Sequence, residues 1–538
     1  MKTTKTVRLF TLSALVLGVS ACSTIPKSAQ TMVAQPNLAV DQAYQVLDQQ
    51  TISVAEAPSV ASMRWQDFYA DPKLKSLIEL GLNNNKDLQK AVLAIQSSRA
   101  QYQITEADGI PKLGASGGAT RSASPADRNA SSGYNIGLAM FSYEIDFWGK
   151  VANAKDAALY NYLATNSAKD AVQISLISNI AQSYVNLSYA LAQRQLAVET
   201  LKTREHSLDI TNKRFKAGID ARSPSLQAEA SLEAAKLAIY QADTGILQAR
   251  NALQLLLGAP VPDELMPDMA VDNITTQTLF STGLPSELLY YRPDIVQAEH
   301  ALKAAGANIN VARAAYFPSI SLSGNLGFSS SSLSNLLESS AFAWSVGPSI
   351  NLPIFDAGIR RANYEVAEVA QKSALVTYEK AIQTAFKEVG DVLASRATLG
   401  RQLESQYKLQ NNYQQTYQIA HARFRSGLDD YLSVLDAERS LFANQQNILN
   451  LELQKILSQI QLYQALGGGA TLTAEQIASL QKQREAMRTA ELATKEQLTP
   501  VNADAVDPSV EIVQPAPATL NVIEPANADG VSTPISIH

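Results

Sequence analysis

The sequence is poor in the side chains that most often carry chemistry. Its 538 residues include one cysteine and four histidines, and a single thiol can form neither an internal disulfide nor a cysteine cluster for a metal. The histidines stand alone, without a second ligand at metal-binding spacing: His206, His300, His421 and His538. No phosphate-binding glycine loop, nucleophile elbow or HExxH pattern occurs. We therefore expect no catalytic centre, no metal site and no cofactor.

Charge is also sparse. Only 17% of the residues are charged, and 44 Lys and Arg against 50 Asp and Glu give a net charge of -6. Because no basic excess is available to attract phosphates, nucleic acid is not expected as a partner. No linker-like stretch interrupts the chain between residues 65 and 467, which favours one extended unit over several separate domains.

The N-terminus has the layout of a bacterial export signal. Residues 1–21 combine a basic start with an apolar run too short to span a bilayer, and are interpreted as a signal peptide. The stretch Val19–Cys22 resembles the lipobox of bacterial lipoproteins, which implies acylation of Cys22 and a lipidated segment over residues 22–64. Ser23, in place of an aspartate, implies sorting to the outer membrane. The alternative is a plain secretory signal in which the cysteine lies near the cut by chance.

The chain is internally duplicated. The stretch Arg214–Asp220 (RFKAGID) is matched by Arg423–Asp429 (RFRSGLD), and other landmarks follow with a shift of about 208 residues. This duplication predicts two structural repeats, residues 65–282 and 283–469.

Two glycine intervals recur in both halves. The first spans 69 residues, from Gly149 to Gly218 and from Gly358 to Gly427; the second spans 40 and ends at Gly258 and Gly467. Both long intervals lack proline, so each predicts a helix of roughly 100 Å, beside a partner of roughly 60 Å. In the first half, a further helix predicted from about Asp71 to Ala107 makes up the difference in length between the long helix and its shorter partner.

The helical segments carry a coiled-coil pattern. Apolar residues recur at alternating steps of four and three: Leu449, Leu453, Ile456, Ile460 and Tyr463. Small or polar residues stand between them, which suits helices that contact two neighbours and water. An ordinary coiled coil explains this periodicity equally well.

Between the helices lie segments with the period of a β-strand. Ile320, Leu322, Leu326 and Phe328 alternate with serine and asparagine, and predict a hairpin over residues 319–353. A second, glycine-rich hairpin is predicted over residues 113–146. A soluble sheet gives the same alternation, but two hairpins cannot close a sheet within one chain. Three chains would supply twelve strands.

Several stretches resemble the outer-membrane factor family of TolC-like ducts, in particular its lipoprotein branch that serves resistance-nodulation-division multidrug pumps. The resemblance covers most of residues 65–469 and is carried by Tyr143–Lys150 (YEIDFWGK), Ala312–Pro318 (ARAAYFP), Pro353–Gly358 (PIFDAG) and Asp430–Arg439 (DYLSVLDAER). It implies a mainly α fold with a membrane β-barrel: a homotrimer whose 12-stranded β-barrel in outer-membrane lipid continues into a long periplasmic α-helical barrel. The implied function is a drug-efflux exit duct that docks a periplasmic adaptor and an inner-membrane pump.

The resemblance also implies functional residues. It maps an acidic ring at the closed aperture onto Asp436 and a hydrophobic constriction onto Leu432. Some relatives carry a second ring aspartate where this chain has Ser433. Asp429 and Asp430 are further aperture candidates, although helix N-capping is a competing interpretation for both.

The resemblance further implies that the adaptor docks at tips formed by the turns between the long and short helices. They lie at Gly218 and Gly427, with Arg214 and Arg423 nearby. A structural role for the two glycines, ending a helix in a left-handed conformation, is compatible with docking.

Other interpretations remain open from the sequence. The same tube would serve type I protein secretion or metal-ion export, and a non-conducting periplasmic coiled-coil lipoprotein would share the helices but has no reason to keep the hairpins. Past the second repeat, residues 470–500 predict a further helix. Residues 501–538, acidic and rich in proline and alanine, predict a disordered tail.

Overall fold

The computed structural model describes residues 63–124, 127–272, 274–276 and 292–468. These residues all belong to one compact unit that runs from Met1 to Thr473. The proposed lipid site at Cys22, the signal peptide, the predicted helix at 470–500 and the tail lie outside the described residues.

The two repeats share the order helix, β-hairpin, long helix and shorter helix. The first contains α1 (Trp65–Phe68), α2 (Pro72–Asn84), α3 (Lys86–Ala107), β1 (Lys112–Ser124), β2 (Asp127–Glu144), α4 (Lys150–Lys216) and α5 (Arg222–Leu257). The second contains α6 (Pro293–Ala314), β3 (Ser319–Ser330), β4 (Phe342–Asn351), α7 (Ile359–Arg425) and α8 (Tyr431–Ala465). The long helices α4 and α7 each have 67 residues, a length of about 100 Å.

An aspartate near the end of each hairpin starts the long helix that follows. The Asp146 carboxylate accepts hydrogen bonds from the first amides of α4, at Val151 and Ala152. Asp356 accepts one from the Arg360 amide at the start of α7. These amides have no partner inside the helix, so the carboxylates satisfy them and also favour the positive end of the helix dipole.

The single helix expected from Asp71 to Ala107 is wrong, because the structure divides it at Asn85. The Asn85 side chain accepts a hydrogen bond from the Leu88 amide at 2.9 Å and so caps α3. Its amide group donates to the carbonyl of Leu256 on α5, also at 2.9 Å. Asparagine competes with the helix for backbone hydrogen bonds, and this tertiary acceptor stabilises the break.

The four strands form one antiparallel sheet in the order β1-β2-β3-β4. Leu138 lies opposite Leu326, and Leu326 opposite Trp344, so the apolar positions of neighbouring strands share one face. Serines occupy the other face, where the Ser321 and Ser349 hydroxyls are 2.7 Å apart. Within the described part of the chain, the outer edges of β1 and β4 pair with no strand.

An aromatic cluster fixes the start of the described chain to the end of the second repeat. Phe68 stacks on Tyr463 with ring centroids 4.0 Å apart, and the Tyr463 hydroxyl donates to the carbonyl of Met63 at 2.9 Å. Burial raises the pKa of Tyr463 and Tyr69.

Among the helices that the structure describes, each is too short or too polar to cross a membrane.

Candidate functional site

The turn between α4 and α5, called tip 1 (residues 214–221), is a Schellman motif. The Gly218 amide donates to the carbonyl of Phe215, and the Ile219 amide to that of Arg214, both at 2.9 Å. Gly218 has a φ of 70°, which a side chain would strain. The Arg214 guanidinium donates to both carboxylate oxygens of Asp220, at 2.7 and 3.0 Å, and ties the turn closed.

The turn between α7 and α8, called tip 2 (residues 423–430), repeats this geometry. Gly427 has a φ of 73°, and the Leu428 amide donates to the carbonyl of Arg423 at 2.9 Å. The Arg423 guanidinium donates to both Asp429 oxygens, at 2.6 and 2.9 Å. These hydrogen bonds hold the pKa of Asp429 below its usual range. Arg214, Arg423 and Asp429 therefore form hydrogen bonds that stabilise their own turns.

The remaining aperture candidates lie on the first two turns of α8. Asp430 is the N-cap of α8, and its carboxylate accepts from the Ser433 amide at 3.3 Å, as the capping interpretation expects. Leu432 and Asp436 share the exposed side of the helix, and Leu432 is 45% exposed. The structure therefore leaves Leu432 and Asp436 available for a role outside their own chain.

A hydrophobic cluster joins the two tips. It contains residues from α5, α7 and α8: Ala228, Ala420, Phe424, Tyr431, Val434, Leu435 and Ala437. The Arg214 guanidinium of tip 1 lies over the Phe424 ring of tip 2, 4.8 Å from its centroid, a favourable cation–π contact. The Arg214 side chain, which closes tip 1, thus also contacts tip 2.

Beside this cluster is a buried ion pair that the sequence analysis missed. Arg204 on α4 donates from Nε to Glu438 Oε1 on α8 at 2.8 Å, and the two side chains are 7% and 6% exposed. Arg204 Nη1 also donates to the Ser231 carbonyl on α5 at 2.8 Å. Burial raises the pKa of Glu438, and the Arg204 guanidinium opposes that shift. Three helices from both repeats therefore meet at one guanidinium.

One signal in the sequence could have drawn attention to this pair. Arg204 and Glu438 interrupt helix positions otherwise occupied by small and apolar residues, and a charge in such a row requires a partner. The partners are 234 residues apart in the chain, so spacing within one helix does not reveal them.

The geometry agrees with comparisons to known proteins. The family model described as outer membrane efflux protein matches residues 77–259 and 284–468. The chain belongs to this family. Its two matched segments confirm the duplication read from the sequence, and membership confirms the predicted resemblance to outer-membrane efflux ducts.

Relatives in the family match over most of their length. The cation efflux system protein CusC of Escherichia coli O6:H1 is 40% identical over 459 residues, which cover 84% of this chain and 97% of CusC. The probable outer membrane lipoprotein SilC of Salmonella typhimurium is 42% identical over 408 residues, 75% of this chain and 88% of SilC. The open-state structure of the Neisseria gonorrhoeae MtrE outer membrane channel is 36% identical with a TM-score of 0.73, and the match covers 84% of this chain and all of that chain. The protein is an outer-membrane efflux channel with a TolC-like fold.

Proposed function

We propose that three copies of this chain close into a continuous tube that passively conducts substrates out of the cell. The observation that carries this proposal is the sheet. Its apolar face leaves Trp344 and Leu326 70% and 49% exposed, and its edges β1 and β4 are unpaired in the described residues. A sheet in a bilayer must satisfy its edge groups by closure. If β4 of each of the three copies pairs with β1 of the next copy, the closed sheet has twelve strands and no free edge.

The helices offer a second set of unpartnered surfaces. Along α5, large apolar side chains are exposed at positions that face no other described element: Leu226, Leu237, Tyr240, Leu247 and Leu255. Exposed apolar rows of this length mark an interaction surface. By the repeat relation, α5 corresponds to α8, which packs on α4 within the chain. The corresponding partner for α5 is α7 of the next copy, so closing the helices also needs copies of the same chain.

The aperture would lie at the first turns of α8, next to tip 2. Leu432 and Asp436 point away from the cluster that joins the tips, and in a trimer each would occur three times around one axis. Three carboxylates close together repel one another and attract cations, so the ring would favour cations over anions. Asp429 and Asp430 form hydrogen bonds within their own turn. They are therefore weaker candidates for aperture residues than Asp436 and Leu432.

The duct would work with an inner-membrane resistance-nodulation-division pump through a periplasmic adaptor. Tips 1 and 2 expose Ile219 and Leu428 by 64% and 68%, and these apolar points at equivalent positions suit repeated docking of one adaptor. The left-handed turns at Gly218 and Gly427 fix the positions of these two side chains. SilC is named an outer membrane lipoprotein, which supports acylation of Cys22. CusC is named for cation efflux, so metal ions join drugs as candidate cargo.

Single-channel conductance of the purified protein in a planar bilayer tests this function. Wild type should give a small, cation-selective current, and Asp436→Ala should raise the current or reduce the selectivity. Glu365→Gln is the matched control, because Glu365 is an exposed carboxylate on α7 far from the tips. Replacing Leu432 with alanine should widen the constriction.

The outcomes separate the duct from a non-conducting lipoprotein. Absence of current from folded, inserted trimers of wild type, Asp436→Ala and Leu432→Ala would refute the duct. Equal effects of Asp436→Ala and Glu365→Gln would leave a duct whose selectivity is set elsewhere.

A further inference from the structure

Two consecutive apolar side chains are almost fully exposed between β4 and α7. Ile354 and Phe355 are 92% and 88% exposed, more than any other large hydrophobic residue that the structure describes. They belong to the second linker, residues 352–358, which leaves the sheet at its β4 edge. Leu352 and Ile350 extend the exposed patch. A contiguous apolar patch of this kind marks a surface that a partner covers.

The equivalent linker of the first repeat is covered within its own chain. This first linker, residues 145–149, joins β2 to α4. Its Trp148 ring stacks on Phe317 with centroids 4.4 Å apart, and the Trp148 Nε1 group donates to the Pro318 carbonyl at 2.8 Å. Phe317 and Pro318 lie in the turn between α6 and β3, residues 315–318. The first linker therefore packs on the turn that leads into the neighbouring hairpin.

The internal repeat identifies the matching surface for the second linker. Pro111 corresponds to Pro318 with a shift of 207 residues (318 minus 111), and β1 and β3 each begin one residue later. The same shift matches Ile110 with Phe317 and places the turn 108–111 in the same position before its strand. Ile110 is 61% exposed, whereas Phe317 is partly buried. The turn 108–111 therefore lacks the cover that its counterpart has.

Ile110 and Phe355 cannot meet within one chain. They lie beside β1 and β4, the two edges of the four-stranded sheet. Three strand spacings of about 4.8 Å put about 14 Å between these edges. In the proposed trimer, β4 of each copy adjoins β1 of the next, so the second linker of one copy reaches the turn 108–111 of its neighbour. The inference thus rests on the proposed function.

Charged side chains next to the two surfaces have opposite signs. Arg361 is exposed in the first turn of α7, directly after the second linker. Asp108 lies in the same turn as Ile110, and its ion pair with Lys112 leaves the Asp108 side chain 54% exposed. An exposed ion pair contributes little energy, but opposite charges favour this orientation of two copies over others.

We propose that the second linker of each copy docks on the turn 108–111 of the next copy. The Phe355 ring covers Ile110 there and takes the role that Trp148 has within the chain. The partner is a second copy of this chain, and buried aromatic rings supply much of the stability of such interfaces. The contact lies where strands give way to helices, so it joins the closure of the sheet to the closure of the helices.

Photo-cross-linking of the assembled trimer tests this contact. Phe355→p-benzoylphenylalanine keeps an aromatic ring at the site and reacts on irradiation with the groups that it touches. Covalent dimers and trimers should appear on a denaturing gel, and the cross-linked tryptic peptide should be residues 100–112 of a second copy, which contain Ile110. Trp148→p-benzoylphenylalanine is the matched control. It should react with the peptide that contains Phe317 of its own chain and leave monomers on the gel.

Removing the ring is the second arm, because the photoreactive side chain is larger than phenylalanine and can interfere with assembly. Phe355→Ser should lower the temperature at which the trimer dissociates into monomers. Phe147→Ser is the matched control, since Phe147 is 70% exposed at the same end of the sheet and its linker keeps the Trp148 contact. Phe147→Ser should dissociate at the wild-type temperature.

The outcomes are distinguishable from failure of the duct itself. If the wild-type protein forms no trimer and carries no current, the proposed function fails. If trimers form and conduct but position 355 cross-links only to lipid or to its own chain, the docking of the second linker is overturned. Equal shifts for Phe355→Ser and Phe147→Ser would also overturn it, because both rings would then act as membrane anchors.

Discussion

Glu438→Leu should destabilise the contact between the two repeats more than any surface substitution. The change removes the carboxylate that Arg204 contacts at 2.8 Å and leaves the guanidinium with the Ser231 carbonyl. Arg204 and Glu438 are 7% and 6% exposed, so water cannot replace the lost partner. Breaking a buried pair in this way costs about 3–5 kcal/mol. Replacing both residues, with Arg204→Met added, removes the uncompensated charge and should recover most of that loss.

Hydrogen–deuterium exchange of the folded trimer measures this effect where it occurs. Peptides from the first turns of α8 and from α4 around Arg204 should exchange faster in Glu438→Leu by about 100-fold or more, because about 1.4 kcal/mol corresponds to a factor of ten. The double variant should exchange within about tenfold of wild type if apolar replacement of an ion pair is close to neutral. Peptides from β3 and β4 should not change.

Two results would refute the reasoning. If Glu438→Leu exchanged at the wild-type rate, water or another group would be compensating the Arg204 charge. The pair would then not be shielded from water as its burial indicates. Equal damage in the single and double variants would mean that the shape of the Glu438 side chain, rather than its charge, stabilises the contact.

Other predictions concern the tips and the interior of α7. Gly427→Ala should destabilise the trimer by about 1–2 kcal/mol because the φ of 73° is left-handed, whereas Gly390→Ala, inside α7 with open space around it, should stabilise by about 0.5–1 kcal/mol; thermal unfolding checks both, and the same sign for both would contradict the backbone argument. Asp430→Ala should remove the α8 N-cap at about 1 kcal/mol and speed exchange in the first turn of α8 alone; unchanged exchange there would mean that Ser433 is satisfied otherwise. Burial, then Arg425 and His206, hold the pKa of His421 below 6.5. Because the unfolded chain then takes up a proton first, stability should be full above pH 6.5 and decline as the pH falls toward the folded pKa. His421→Gln should flatten that part of the melting profile between about pH 7 and pH 5, and an equally steep profile in the variant would assign the effect to another group.

The repeat and its long helices could be predicted from the sequence because they depend on local, periodic signals. Gly218 and Gly427 follow the long helices and adopt a positive φ, as helix-ending glycines do. Gly149 and Gly358, which directly precede those helices, also adopt a positive φ. The strand from Ser319 to Ser329 could be predicted because its apolar and polar residues alternate with a period of two. Such signals lie within a few turns of helix or strand and do not require knowledge of distant neighbours.

Features that depend on distant neighbours were missed. The break at Asn85 is stabilised by the carbonyl of Leu256, 171 residues away, and no proline near Asn85 indicated it. Arg214 and Arg423 were expected only as tip residues, yet each forms two hydrogen bonds within its own turn. An arginine beside a docking point and one that closes a turn have the same sequence context, so geometry was needed to separate the roles.

A duplicated chain that assembles as a trimer has two versions of every contact between repeats, one inside the chain and one between chains. Selection can change them independently, because the two versions use different residues. Here the contact inside the chain has Arg204 with Glu438, and the corresponding residues of the other repeat are Tyr413 and Glu229. The proposed aperture positions diverge in the same way: Leu432 and Asp436 at the start of α8 correspond to Ser223 and Gln227 at the start of α5. In the proposed trimer the six tips would therefore form an aperture with threefold rather than sixfold symmetry.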